Sequence, residues 1–109
     1  MQFTEYQEQA MQFAQYEDEN YPFVAITEEL GEFLSLYAKA LRGDDLLQRF
    51  ASYEELENHI KKEAGDVLWQ LTACLMELDI PLEDVAKMNI EKLTDRAERG
   101  VIKGSGDAR

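Results

Sequence analysis

The 109-residue sequence predicts an all-α fold: a four-helix, bundle-like protomer completed by oligomerisation. Apolar residues recur at steps of three and four in four separate segments, and no useful length of sequence alternates as a strand does. The breaks between segments carry proline or glycine. A single domain is expected over residues 1–109, with a flexible, glycine-rich tail from about residue 100. A chain this short buries a modest core, so association would help to cover apolar surface.

Thr4-Glu5-Tyr6-Gln7 reads as a capping box. Phe3, Tyr6, Ala10, Phe13 and Tyr16 follow at helical spacing, which predicts a first helix from about Thr4 to about Asp18. Asn20-Tyr21-Pro22 ends it, because the residue before a proline is pushed out of the helical region. Pro22 suits the first turn of a second helix reaching about Arg42, with Phe23, Ile26, Leu30, Phe33, Leu34, Tyr37 and Leu41 as its apolar stripe. Gly31 in mid-helix costs on the order of 1 kcal/mol relative to Ala. The gap it leaves would admit a close helix or ligand.

Gly43 to Ser52 is the connector, with Leu46, Leu47 and Phe50 suggesting a short helical turn or lid. Ser52-Tyr53-Glu54-Glu55 is a second capping box and opens the longest helix, to about Leu78. Leu56, Ile60, Val67, Leu71, Cys74 (or Leu75) and Leu78 keep its period. Asp79-Ile80-Pro81 makes a tight corner, and a fourth helix runs from about Leu82 to Arg99, stopped by Gly100.

The net charge of -12 argues against binding nucleic acid or an anionic membrane, since no broad basic surface remains to neutralise phosphates. A small phosphorylated substrate stays open, because a metal ion reverses the charge locally. The single cysteine, Cys74, rules out an intramolecular disulfide and fits a reducing compartment. With no signal-peptide pattern and no spanning apolar run, the expected location is the cytoplasm.

Two acidic motifs stand out. Glu29 and Glu32 lie three apart around Gly31, and Glu63 and Asp66 three apart around Gly65, so each pair shares a helix face. Carboxylates stacked so closely repel one another unless something positive sits between them. Brought together by helix packing, the four make a cage of hard oxygen ligands suited to Mg²⁺, with Mn²⁺ as a substitute. Acidic residues number 23 of 109, so a lone Glu-x-x-Glu means little, and charged stripes are usually solvated faces. The conjunction of two glycine-containing motifs beside two apolar stripes carries the signal.

On the fourth helix, Asn89, Lys92, Arg96, Arg99 and Lys103 recur at steps of three or four as a polar and basic stripe. Such a stripe in so acidic a chain is a candidate for holding phosphate oxygens. The helix macrodipole alone would account for Arg96 and Arg99 but not for Asn89 or Lys92. His59, the only histidine, excludes a di-iron bundle with two Glu-x-x-His pairs and reads as a surface or helix-face residue. Cys74 reads as core, and Trp69 as core or subunit interface. Gln70, one turn after Asp66, is placed to read a nucleobase edge.

Glu28-Glu29-x-x-Glu32, Glu63-x-x-Asp66 and Asn89-x-x-Lys92-Leu93-x-x-Arg96 together resemble the MazG-like members of the all-α nucleoside triphosphate pyrophosphohydrolases. The resemblance runs from about Thr27 to Arg109, tail included. The 30 residues between Glu32 and Glu63 exceed the usual spacing slightly, an excess that falls in Gly43 to Ser52. It implies hydrolysis of a (deoxy)nucleoside triphosphate to the monophosphate and pyrophosphate, in a homodimer or homotetramer. Carried over by position, Glu29, Glu32, Glu63 and Asp66 would ligate Mg²⁺ and Glu28 would be the general base. Asn89, Lys92 and Arg96 would contact the triphosphate, from the same or a neighbouring subunit. The rival readings are a non-catalytic helical assembly module, or the same metal chemistry on another nucleotide such as an alarmone.

Overall fold

The computed structural model describes all residues from Met1 to Arg109. Four helices, α1 (Phe3–Met11), α2 (Tyr21–Leu41), α3 (Tyr53–Glu77) and α4 (Leu82–Glu98), are joined without any strand, and a 3₁₀ turn spans Leu46–Gln48. No helix is long and apolar enough to cross a membrane. Glu29 on α2 shares a cavity with Gln70 and Ala73, whereas Lys39 shares one with His59. The two long helices are therefore antiparallel, and they form the main packing unit.

Three helices end in the same way. Asp44 N–H bonds Lys39 O at 3.0 Å, Ile80 N–H bonds Leu75 O at 2.9 Å and Val101 N–H bonds Arg96 O at 2.9 Å. In each, the preceding residue has positive φ, at Gly43 (97°), Asp79 (60°) and Gly100 (72°). These are Schellman endings, which satisfy the orphan carbonyls of the last turn. Glycine takes that conformation without a Cβ clash at 43 and 100, and Asp79 is the tolerated polar alternative. At its start, α3 has the expected cap: Ser52 Oγ accepts from Glu55 N–H at 3.1 Å, and Glu55 reaches back to Ala51 N–H at 2.8 Å.

The first helix is shorter than its periodicity predicts and stops at Met11 rather than Asp18. Ala10 O accepts both Phe13 N–H at 3.1 Å and the Trp69 indole N–H at 3.2 Å, so the helical bond from Ala14 is not made. Tyr16 is drawn out to Glu77 and lies on Tyr21, ring centroids 5.8 Å apart. The expected capping box at Thr4 is also absent. The Thr4 hydroxyl donates to Glu83 at 3.0 Å, and Gln7 Oε1 accepts from Leu82 N–H at 2.8 Å. These side chains dock α1 on α4 instead of capping their own helix.

The apolar stripes are largely uncovered within one chain. Only Ala25, Leu36, Leu56, Ala73, Cys74 and Leu82 form the buried apolar core. Leu30, Leu34, Tyr37 and Leu41, one face of α2, are 45 %, 48 %, 67 % and 72 % exposed. The radius of gyration is 17.2 Å, against about 13 Å for a compact domain of this length. The reason is topological: α1 packs on α3 and α4 packs on α1, so α2 has only α3 as a full-length neighbour. The four helices do not close into a bundle within one chain.

Candidate metal centre

Antiparallel packing of α2 on α3 brings Glu29, Glu32 and Glu63 together, one carboxylate oxygen of each within 4.8 Å of the others. Glu29 and Glu63 are half-buried and Glu32 is exposed. Burial and the neighbouring charges of Asp66, Glu32, Glu28 and Glu63 push the Glu29 carboxyl above the usual range. Such a group holds its negative charge at a cost, which a cation relieves. Glu63 Oε1 lies 3.6 Å from His59 Nε2, beyond good hydrogen-bond length. Its Oε2 is buried with no partner at all. An orphaned buried carboxylate oxygen is destabilising by about 1–3 kcal/mol. An oxygen-rich, electron-rich donor set with one oxygen waiting for a partner fits a hard divalent cation.

The other residues of the acidic motifs lie around this trio. Asp66 stands one turn further along α3 and lines a separate cavity with Tyr6 and Trp69. Glu28 is exposed beside Glu29. Neither Gly31 nor Gly65 is approached: no atom of the chain would lie within 4 Å of a Cβ at either position. Packing within the chain does not explain these two glycines.

On the Glu29 side of the trio lies a cavity of about 600 Å³ with Phe13, Tyr16, Tyr21, Trp69 and Gln70 on its walls. Gln70 is buried. The early end of α1 creates this space, because residues 12 to 20 wrap across α3 as a loop. One hydrogen bond ties that loop down, from the Tyr16 hydroxyl to Glu77 Oε1 at 2.6 Å. Burial, that bond and the Glu77 charge push the Tyr16 phenol up to about 12. Because the fold favours the neutral phenol, its contribution is complete below the ordinary tyrosine value near 10 and is lost as pH rises towards 12. Tyr16→Phe should therefore be less stable than wild type by about 1 kcal/mol at neutral pH. In urea unfolding the difference should close between pH 10 and 12; a constant difference would contradict the loop tether.

The basic stripe is arranged differently. Asn89 is exposed, Lys92 Nζ lies 3.2 Å from Asp107 Oδ1, and Arg96 is buried with Nη2 on Asp107 and the Gly106 carbonyl. Since α4 packs on α1, the stripe and the carboxylates belong to different parts of one protomer. Periodicity gave no reason to single out His59. It lies one turn before Glu63, half-buried against Phe50 with ring centroids 5.2 Å apart. The i,i+4 step to Glu63 was the available signal.

The chain is similar to the Gene 37 protein of Mycobacterium phage L5, with 34 % identity over 90 residues covering 83 % of this chain and 75 % of that protein. No solved structure matches. The model of the MazG nucleotide pyrophosphohydrolase domain matches residues 23–101, which include both acidic motifs and α4. With the match covering most of the sequence and the paired acidic helices in place, the chain belongs to the MazG nucleotide pyrophosphohydrolase family.

Proposed function

We propose that this protein hydrolyses (deoxy)nucleoside triphosphates to the monophosphate and pyrophosphate in a Mg²⁺-dependent reaction. The observation that carries the reading is the trio Glu29, Glu32 and Glu63 with its orphaned Oε2, within a nucleotide pyrophosphohydrolase domain. Glu29, Glu32 and Glu63 would hold the ion, with Asp66 as a fourth carboxylate. Bound there, Mg²⁺ or Mn²⁺ supplies charge neutralisation and Lewis acidity at the α-phosphate.

The chain's own groups supply the remainder. Glu28, exposed beside Glu29, would be the general base that takes a proton from the attacking water. Attack at the α-phosphorus breaks its bond to the bridging oxygen, and pyrophosphate leaves. The aromatic cavity beside Glu29 offers faces for stacking a nucleobase, and the Gln70 amide, which both donates and accepts, can read its edge. Asn89, Lys92 and Arg96 contact the triphosphate, supplied by a neighbouring subunit of a homodimer or homotetramer. The uncovered face of α2 supports such an assembly.

A panel of nucleoside and deoxynucleoside triphosphates with Mg²⁺, resolved for all phosphate products, tests the reading. Expected are pyrophosphate and monophosphate in equal amounts, abolished by a chelator. Inorganic phosphate as the first product would place the cut at the γ position and refute it.

A further inference from the structure

The carboxylate trio has a second neighbour, on the side away from the aromatic cavity. A cleft of about 390 Å³ is lined by Glu32 and Glu63 together with Lys39, Arg49 and His59. Three nitrogen-bearing side chains from α2, the connector and α3 converge there in a chain whose net charge is -12. Phe50, against the His59 ring, fixes one wall.

Balancing the carboxylates is the simpler role for such groups, and it suits His59, whose Nε2 lies 3.6 Å from Glu63 Oε1, but not the other two. Lys39 is half-buried and takes part in none of the ion pairs of the fold. Arg49 pairs through Nη2 alone, with Asp44 at 2.7 Å, and not with Glu32 or Glu63. Its other guanidinium donors have no partner in the chain, although the group offers five in a fork suited to phosphate.

We propose that this cleft seats the β- and γ-phosphates, with Lys39, Arg49 and His59 holding the pyrophosphate as it leaves. The inference rests on the pyrophosphohydrolase reading and gives it a direction. The base lies in the aromatic cavity at Glu29, the α-phosphate at the trio, and the outer phosphates run along α2 towards Lys39. The connector Gly43 to Ser52 thereby becomes part of the site, since it carries Arg49 and Phe50.

The test is calorimetric titration of the Mg²⁺-loaded protein with inorganic pyrophosphate and, separately, with a deoxynucleoside monophosphate. Lys39→Met with Arg49→Gln should weaken pyrophosphate at least about tenfold, because hydrogen bonds to charged groups are the strong ones. Monophosphate affinity should stay within about twofold. Lys39→Met alone removes no ion pair and should act in the same direction, while Lys39→Arg should restore binding. Unchanged pyrophosphate affinity in both variants, or equal weakening of both ligands, would overturn the seat. If wild type still releases pyrophosphate from triphosphates in that case, only the seat falls. A wild type that neither binds nor releases pyrophosphate would sink both.

Discussion

Glu63→Gln should abolish Mg²⁺-dependent turnover while leaving the helices intact. Loss of a group one step removed from a metal costs about 10–100-fold, so loss of a direct ligand should cost at least about 100-fold in kcat/KM. The variant also separates a metal site from a structural acid. Glu63 Oε2 is buried without a partner, and Glu29 is held above its usual range by the charges around it. Removing one charge relieves the repulsion at Glu29 while the amide keeps a polar atom at the buried position, so the metal-free variant should melt within about 4 °C of wild type. Added Mg²⁺ should then raise the melting temperature of wild type and not of the variant. A variant stabilised by Mg²⁺ as wild type is would refute the trio as the metal centre.

Leu34→Arg should convert the protein to a monomer. Leu30, Leu34, Tyr37 and Leu41 follow one another by steps of four, three and four along α2, and all are exposed in a single chain. If a second copy covers that face, each buried leucine contributes about 1.5–3 kcal/mol to association. A cation placed there in both subunits should then weaken association by more than about 100-fold. In sedimentation equilibrium wild type should exceed the chain mass of 12.6 kDa and the variant should return to it. Wild type already at the chain mass would remove the assembly from the account.

The helices α2, α3 and α4 were legible in the sequence because their signals are local. Pro22 opens one, Ser52 with Glu55 caps the next, and Gly43 and Gly100 accept the left-handed turns that end two of them. The end of α1 was not legible, because Trp69, 59 residues away, takes the carbonyl of Ala10, and Glu77 takes the Tyr16 hydroxyl. Thr4 and Gln7 mislead for a related reason: the same polar side chains that can cap a helix can also bridge to Glu83 and Leu82.

Of the acidic trio, Glu29 with Glu32 could be read from helical period, whereas Glu63 needed tertiary packing to join them. The basic cleft could not. Lys39, Arg49 and His59 have no common period and meet only because the connector folds back over antiparallel helices. The exposed apolar stripe of α2 reads as a core pattern in sequence, and nothing local says that the chain leaves it uncovered.

Hydrolysis of a triphosphate in heavy-oxygen water, followed by mass spectrometry of the products, tests the central claim most directly. Attack at the α-phosphorus places the labelled oxygen in the monophosphate and leaves pyrophosphate unlabelled, and both should vanish with Glu63→Gln. Label in pyrophosphate or in inorganic phosphate would contradict the assignment, because the water would then have attacked beyond the carboxylate trio.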